Sequence, residues 1–387
     1  MDAHETTAKY NIAETCSSSV SIQDLRAISG DTTTDLAEVL FQRKLTYGPI
    51  PGSEELRSNV ANLYADAQSS ALHLDQVLIS SGAISANFLV LYSLVGKGDH
   101  VICHYPTYQQ LYSIPASSGA EVSLWKANPE KGWAVDIEEL KRLIKPNTKL
   151  IIINNPQNPT GAVLSRSQLA DIVEVASKQN ITVFADEVYR PLFHSLSPAG
   201  SEIPPSILSM GYPNTVATGS LSKAYSLAGV RVGWIASRNP DIIKACATAR
   251  GYTTISVSQL DDRIATWTLS KPVVEKLLER NLRLARTNLA ILEEFMNRHT
   301  DCCEWVKPVA GTTGFVRFHK NGKPVNGVQF CETLQDRKGV MLCPGAHCFG
   351  EEFQGYVRIG YVSETEVLQE GLKELDAFLK DDFQTLF

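Results

Sequence analysis

The stretch Gly219-Ser-Leu-Ser-Lys223-Ala-Tyr-Ser-Leu-Ala-Gly229-Val-Arg231 begins where a strand-like run over 216–219 ends. It sets one lysine among small and hydroxyl residues, with an arginine eight positions further on. Such a pattern suits a phosphate cup with a reactive amine at its rim. The lysine reaches an aldehyde, while Ser220, Ser222 and Arg231 hold a dianionic phosphate through charge-assisted hydrogen bonds. A solvent-exposed lysine at a strand end explains this segment, taken alone, equally well. The same residues fit S-x-x-K, but the S-D-N and K-T-G that accompany that serine-nucleophile signature are absent. So are G-x-S-x-G, a P-loop and H-E-x-x-H.

Three further stretches bear on the same chemistry. Ala185-Asp186-Glu187-Val188-Tyr189 ends another apolar run, over 181–184. A carboxylate there can pair with a protonated pyridine nitrogen, and Tyr189 can hydrogen-bond a ring oxygen; in isolation the segment reads as a helix start capped by Asp186. Asn154-Asn-Pro-Gln-Asn158-Pro-Thr-Gly161 follows a run over 149–153. Its two Asn-Pro steps force an extended turn, from which the Asn158 amide can point at the same oxygen. Ser80-Ser81-Gly82-Ala83 opens a helix, whose exposed N–H groups suit a phosphate. Together these features are what a site for pyridoxal 5′-phosphate (PLP), a cofactor with an aldehyde, a pyridine ring and a phosphate, would need.

Around these stretches, short apolar runs alternate with helical patterns. Strands are expected over 77–80, 101–103, 122–124, 149–154, 181–185, 216–219 and 230–236, several of them apolar throughout, as strands buried on both faces should be. Asp136, with Glu139 as a capping-box partner, predicts a helix over 137–144, and Ser165 predicts one running to 179. This rhythm makes the chain an α/β protein: a large domain over 46–271 holds a mostly parallel seven-stranded sheet. A smaller α+β domain over 1–45 and 272–387 has a long helix over 272–299, short strands near 314–318, 340–342 and 356–361, and a last helix capped by Ser363.

The bulk properties agree with that class. The 387 residues are 43% hydrophobic and 20% charged, ordinary for a globular protein. A net charge of −6 gives no basic field for nucleic acid or an anionic membrane. No apolar run approaches the ~20 residues of a membrane helix, and residues 1–16 lack a signal-peptide pattern, so a cytoplasmic location is expected. The eight cysteines form no CxxC pair and read as reduced packing residues. Cys343, His347 and Cys348 lack a partner cluster, so no metal is expected.

On these motifs the chain resembles the class I/II aminotransferases of PLP fold type I, over about residues 46 to 362. The resemblance implies that Lys223 holds PLP covalently and that Asp186, Asn158, Tyr189 and Arg231 bind it. It also implies that Ser81, Gly82, Ala83, Ser220 and Ser222 hold the phosphate. Tyr108, in Tyr105-Pro-Thr-Tyr108, matches the aromatic residue on the pyridine face. Tyr47 matches a tyrosine that reaches the cofactor of a neighbouring subunit, which implies a homodimer. Arg358, in Val357-Arg-Ile-Gly, matches the arginine that grips the substrate α-carboxylate.

The chain departs from that pattern near its N-terminus, where Asn11-Ile-Ala-Glu14-Thr-Cys replaces a Gly- and Pro-containing loop. There, and over 106–112, it is most similar to the capreomycidine-synthase-like branch, which implies cyclisation of a substituted amino acid. A second departure is Ser258-Gln-Leu-Asp261-Asp262, read either as a solvated helix face or as a receptor for a cationic substrate side chain. The expected reaction starts with Lys223 removing the α-proton of an amino acid. Elimination, replacement or cyclisation is favoured after that step, and ordinary transamination is the alternative. A non-catalytic module of the same fold is a third reading, against which the intact lysine-to-arginine set weighs.

Overall fold

The computed structural model describes residues 5–32, 40–65, 70–196 and 202–383. Seven strands form its central sheet: β1 (Val77–Ser80), β2 (His100–Tyr105), β3 (Glu121–Lys126), β4 (Thr148–Asn154), β5 (Thr182–Asp186), β6 (Thr215–Ser220) and β7 (Gly233–Ser237), in the order β1-β7-β6-β5-β4-β2-β3. Every pairing is parallel except the two made by β7, which runs against β1 and β6. All six residues of β2 and of β6 are buried. Apolar clusters on both faces account for that: Ile102, Ile151 and Val183 belong to one, Val101, Ile152 and Phe184 to the other.

The helices over this sheet begin at identifiable caps. Helix α1 (Glu54–Asn62) starts at Ser53, whose side chain accepts the Leu56 N–H. Helix α2 (Gly82–Leu94) opens straight out of β1. Asp136 caps α3 (Ile137–Leu143) by accepting the Glu138 N–H, but without the reciprocal bond expected from Glu139. Ser165 and Gln168 form a full capping box on α4 (Arg166–Lys178).

Beyond α5 (Gln259–Thr268), the 28-residue α6 (Lys271–Arg298) leads to a second, antiparallel sheet. Its centre is β8 (Thr313–Lys320) paired with β9 (Tyr356–Gly360). A separate core, including Phe295, Phe318, Phe330 and Phe378, packs beneath it. Near the N-terminus, Tyr10–Asn11 pairs in parallel with Val340–Met341.

Two sequence expectations shift. The strand expected over 230–236 starts at Gly233, because Ala228–Val230 forms a 3-10 turn and Arg231 takes a left-handed conformation (φ 54°). The last helix, α7 (Thr365–Asp381), starts after Glu364, not Ser363. Asn288 of α6 donates to the Tyr361 and Ser363 carbonyls at 2.8 and 2.9 Å, which holds the chain extended through Ser363.

Candidate active site

The register of the central sheet aligns Asn154, Asp186 and Thr218 at the C-terminal ends of β4, β5 and β6. Loops leaving these ends, the start of α2 and strand β9 enclose a cavity of about 390 Å³, within the usual range for small-molecule sites. Lys223, Asp186, Asn158, Tyr189, Ser222, Arg231, Ala83, Tyr108 and Arg358 all line it. Tyr108 keeps 39% of its surface exposed at the rim.

Close backbone approach shapes one end of the cavity. Gly82 has φ +79°, and a Cβ there would lie 2.6 Å from Arg231 Nη2. A Cβ on Gly233 would lie 2.4 Å from the Gly82 carbonyl carbon. Only glycines at both places let the guanidinium lie against the start of α2. Arg231 Nη1 donates to Ser222 Oγ at 3.4 Å and to the Ala228 carbonyl at 2.9 Å. Guanidinium, hydroxyl and helix N-terminus together make an anion receptor.

Asp186 is buried deeper in. Its carboxylate accepts Asn87 Nδ2 at 2.9 Å and the Val188 N–H at 3.1 Å. Burial nevertheless raises its pKa above the ordinary carboxylate value. A cationic N–H donor would relieve that desolvation, and a pyridinium is such a donor. Asn87 is held in turn by Thr218, whose Oγ1 donates to Asn87 Oδ1 at 2.6 Å.

Lys223 lies just past the end of β6. Its Nζ donates to Thr15 Oγ1 at 2.6 Å and to Cys16 Sγ at 3.3 Å, and lies 3.5 Å from Glu14 Oε1. Burial opposes its charge, but Tyr189, Cys16 and Glu14 outweigh that and raise its pKa. Arg358, on β9, donates to Asn158 Oδ1 at 3.3 Å and to the Ala13 carbonyl at 2.8 Å. Anion receptor, amine and buried carboxylate in one cavity match the phosphate, aldehyde and pyridine nitrogen of PLP.

Several expected residues lie outside the cavity lining. Ser220 is buried behind it and donates to Ser222 Oγ at 2.8 Å, while Ser81 precedes α2 without a side-chain cap bond. Tyr47 is 75% exposed, in a shallow groove with Leu45 and Val257. Asp261 and Asp262 are a correction: the structure brings neither to this cavity. Asp262 is 6% exposed and accepts the Ser53 N–H at 3.0 Å, so it serves the start of α1. Asp261 sits in the first turn of α5, its N–H bonded to Ser258 Oγ at 3.4 Å.

The sequence reading missed Asn87 and the trio Glu14, Thr15 and Cys16, all of which line the cavity. Asn87 is the one amide of helix α2, but the helix also carries Ser85 and Ser93, so the sequence did not single it out. The trio carries no motif.

A family model described as aminotransferase class I and II matches residues 29–375. Capreomycidine synthase from Streptomyces vinaceus is 28% identical over 367 residues, which cover 94% of this chain and 88% of that protein. The crystal structure of a PLP-dependent aminotransferase from Streptococcus suis 89-1591 matches with a TM-score of 0.89 at 41% identity, covering 98% of this chain and 95% of that one. The PLP-dependent cyclase OrfR matches with a TM-score of 0.85 at 26% identity, again over 98% and 95%. Pyridoxal 5′-phosphate is therefore the cofactor, and the protein is an enzyme. The chain belongs to the class I and II aminotransferase family.

Proposed function

We propose that this enzyme removes the α-proton of a substituted amino acid with Lys223 and drives loss of a side-chain substituent, with replacement or ring closure. One observation carries the proton step: the Lys223 amine, the buried Asp186 carboxylate and the Arg358 guanidinium line a single cavity. Likeness to capreomycidine synthase and to the cyclase OrfR supports elimination or cyclisation over amino transfer.

In this reading Gly82, Ala83, Ser222 and Arg231 hold the phosphate, and Ser220 positions Ser222 from behind. Asp186 takes the ring nitrogen, Asn158 and Tyr189 the 3′-oxygen, and Tyr108 stacks on the ring. The bound cofactor supplies an electron sink for the carbon that loses its proton. Arg358 orients the substrate by its α-carboxylate through a planar fork. Lys223 Nζ takes the proton, and Thr15 Oγ1 and Glu14 stabilise the resulting ammonium until the proton passes to the departing group. Asn87 keeps Asp186 in place from behind.

We further read residues 46–271 as the large domain, with 1–45 and 272–387 as the small one. A two-fold homodimer gives Tyr47 a partner, and the exposed Phe41, Leu45, Ile50 and Tyr252 support it. Among the described residues no helix is long and apolar enough to cross a membrane, which is compatible with a cytoplasmic enzyme.

Transamination is the second reading, favoured by the 41% identical aminotransferase structure. Cofactor fate separates the two. Holoenzyme given a hydroxylated basic amino acid without any keto acid should turn over repeatedly, with the cofactor absorbance returning to its starting value. Stoichiometric conversion to pyridoxamine phosphate, with turnover only on adding a keto acid, would establish transamination instead.

A further inference from the structure

Away from the cavity, one group of side chains carries donors that the reaction does not use. Helix α6 ends at Arg298, and His299, Asp301 and Cys302 lie on the turn that follows. A ring nitrogen of His299, a carboxylate oxygen of Asp301 and the Cys302 sulfur all lie within 4.8 Å of one another. His299 and Cys302 are buried, whereas Asp301 is open to solvent. None of the three lines the active-site cavity.

The imidazole is held from two sides. Its Nε2 bonds Asp376 Oδ1, on α7, at 2.8 Å, and its ring packs on Phe295 with centroids 4.6 Å apart. Lys380 Nζ takes the other Asp376 oxygen at 2.6 Å, which fixes that carboxylate. With the Nε2 proton donated to Asp376, the lone pair of the neutral ring sits on Nδ1. A carboxylate behind an imidazole in this way sets the tautomer and makes the remaining nitrogen a stronger metal ligand. The two neighbouring thiols differ. Cys303 Sγ donates to the His299 carbonyl at 3.1 Å, whereas Cys302 Sγ reaches the same oxygen only at 3.7 Å. Cys302 is therefore the sulfur that can turn to an ion.

We propose that His299 Nδ1, Cys302 Sγ and an Asp301 carboxylate oxygen bind a divalent cation of the zinc class, with water in the fourth position. Thiolate, imidazole and carboxylate are donors that zinc takes, and three protein ligands leave a tetrahedral ion one open place. Bonds of about 2.0–2.3 Å need donors roughly 3.3–3.8 Å apart. The set closes to that spacing chiefly through the exposed Asp301. Sulfur and nitrogen serve magnesium and calcium poorly, since those ions take oxygen ligands. The Cys302 proton leaves to solvent as the metal–sulfur bond forms, and thiolate and carboxylate together balance the charge of the ion. The ion ties the end of α6 to the turn after it and, through Asp376, to α7. The spacing His299-x-Asp301-Cys302 matches no metal motif and Asp376 stands 77 residues away, so the set is invisible in the sequence.

The test titrates chelator-washed holoenzyme with zinc by calorimetry and with cobalt(II) by visible absorption. A tetrahedral site with a thiolate ligand gives cobalt intense bands to the red of the cofactor. The wild type should bind one ion per chain and show these bands. Cys302→Ser and His299→Gln should abolish both signals. Asp376→Asn should weaken zinc by about 10- to 100-fold, as loss of a partner behind a ligand does. Asp301→Ala, at an exposed position where folding is not at stake, should weaken it at least as far. His347→Ala should change nothing, because His347 lies beside Cys348 on a different segment. A wild type that binds no zinc would overturn the proposal. So would binding undiminished in Cys302→Ser or Asp301→Ala, binding lost in His347→Ala, or a cobalt spectrum of octahedral type. Should a buried variant fail to fold, Asp301→Ala and the wild-type cobalt spectrum decide the matter.

Discussion

Arg358 offers two parallel N–H donors in a plane, and lysine cannot copy that shape. Arg358→Lys should therefore loosen amino-acid binding by roughly 10- to 100-fold, the range of a lost charge-assisted bond of about 1.5–3 kcal/mol, while the resting cofactor spectrum stays the same. Titrating a neutral amino acid against both proteins checks this, and unchanged affinity would reduce Arg358 to a structural residue. Single residues were legible where chemistry coincides with a strand end. Lys223, Asp186 and Asn158 each follow an apolar run, and all three line the cavity. Glu14 was not legible, because its position depends on a strap that meets Lys223 across 209 residues of chain. Asn87 was overlooked for a different reason: it is one of several polar residues in a largely apolar helix, and only the fold shows its amide on Asp186.

Elements repeat the lesson at larger size. The strands were readable because a sheet buried on both faces demands apolar runs, and caps such as Asp136 and Ser165 marked helix starts. The start of β7 was misjudged since Val230 continues the apolar pattern while the backbone turns at Arg231. The pair at the start of α5 shows how an acid that looks placed for a substrate serves an element instead. Removing the Asp262 carboxylate leaves the Ser53 N–H at the head of α1 without its acceptor. Asp262→Ala should cost about 1–3 kcal/mol of folding stability, read by denaturant unfolding, with amino-acid affinity and selectivity unaltered. Wild-type stability, or altered selectivity, would return Asp262 to the list of substrate contacts.

The whole molecule assembles its cavity from places far apart in sequence. Strand order sets Asn154 beside Asp186, β9 brings Arg358 in from the second sheet, and the N-terminal strap closes over Lys223. The alternation of strands and helices predicts the parallel sheet, but not that β7 would slot between β1 and β6 in the opposite direction. That insertion seats Gly233 against Gly82 and so lets Arg231 reach the start of α2. Every part of the account turns on Lys223 being the residue joined to the cofactor. Borohydride reduction of the holoenzyme, followed by digestion and mass spectrometry, tests this directly. The pyridoxyl-phosphate mass should sit on the peptide containing Lys223 and vanish in Lys223→Ala; the same label on another lysine, or its survival in that variant, would contradict the account.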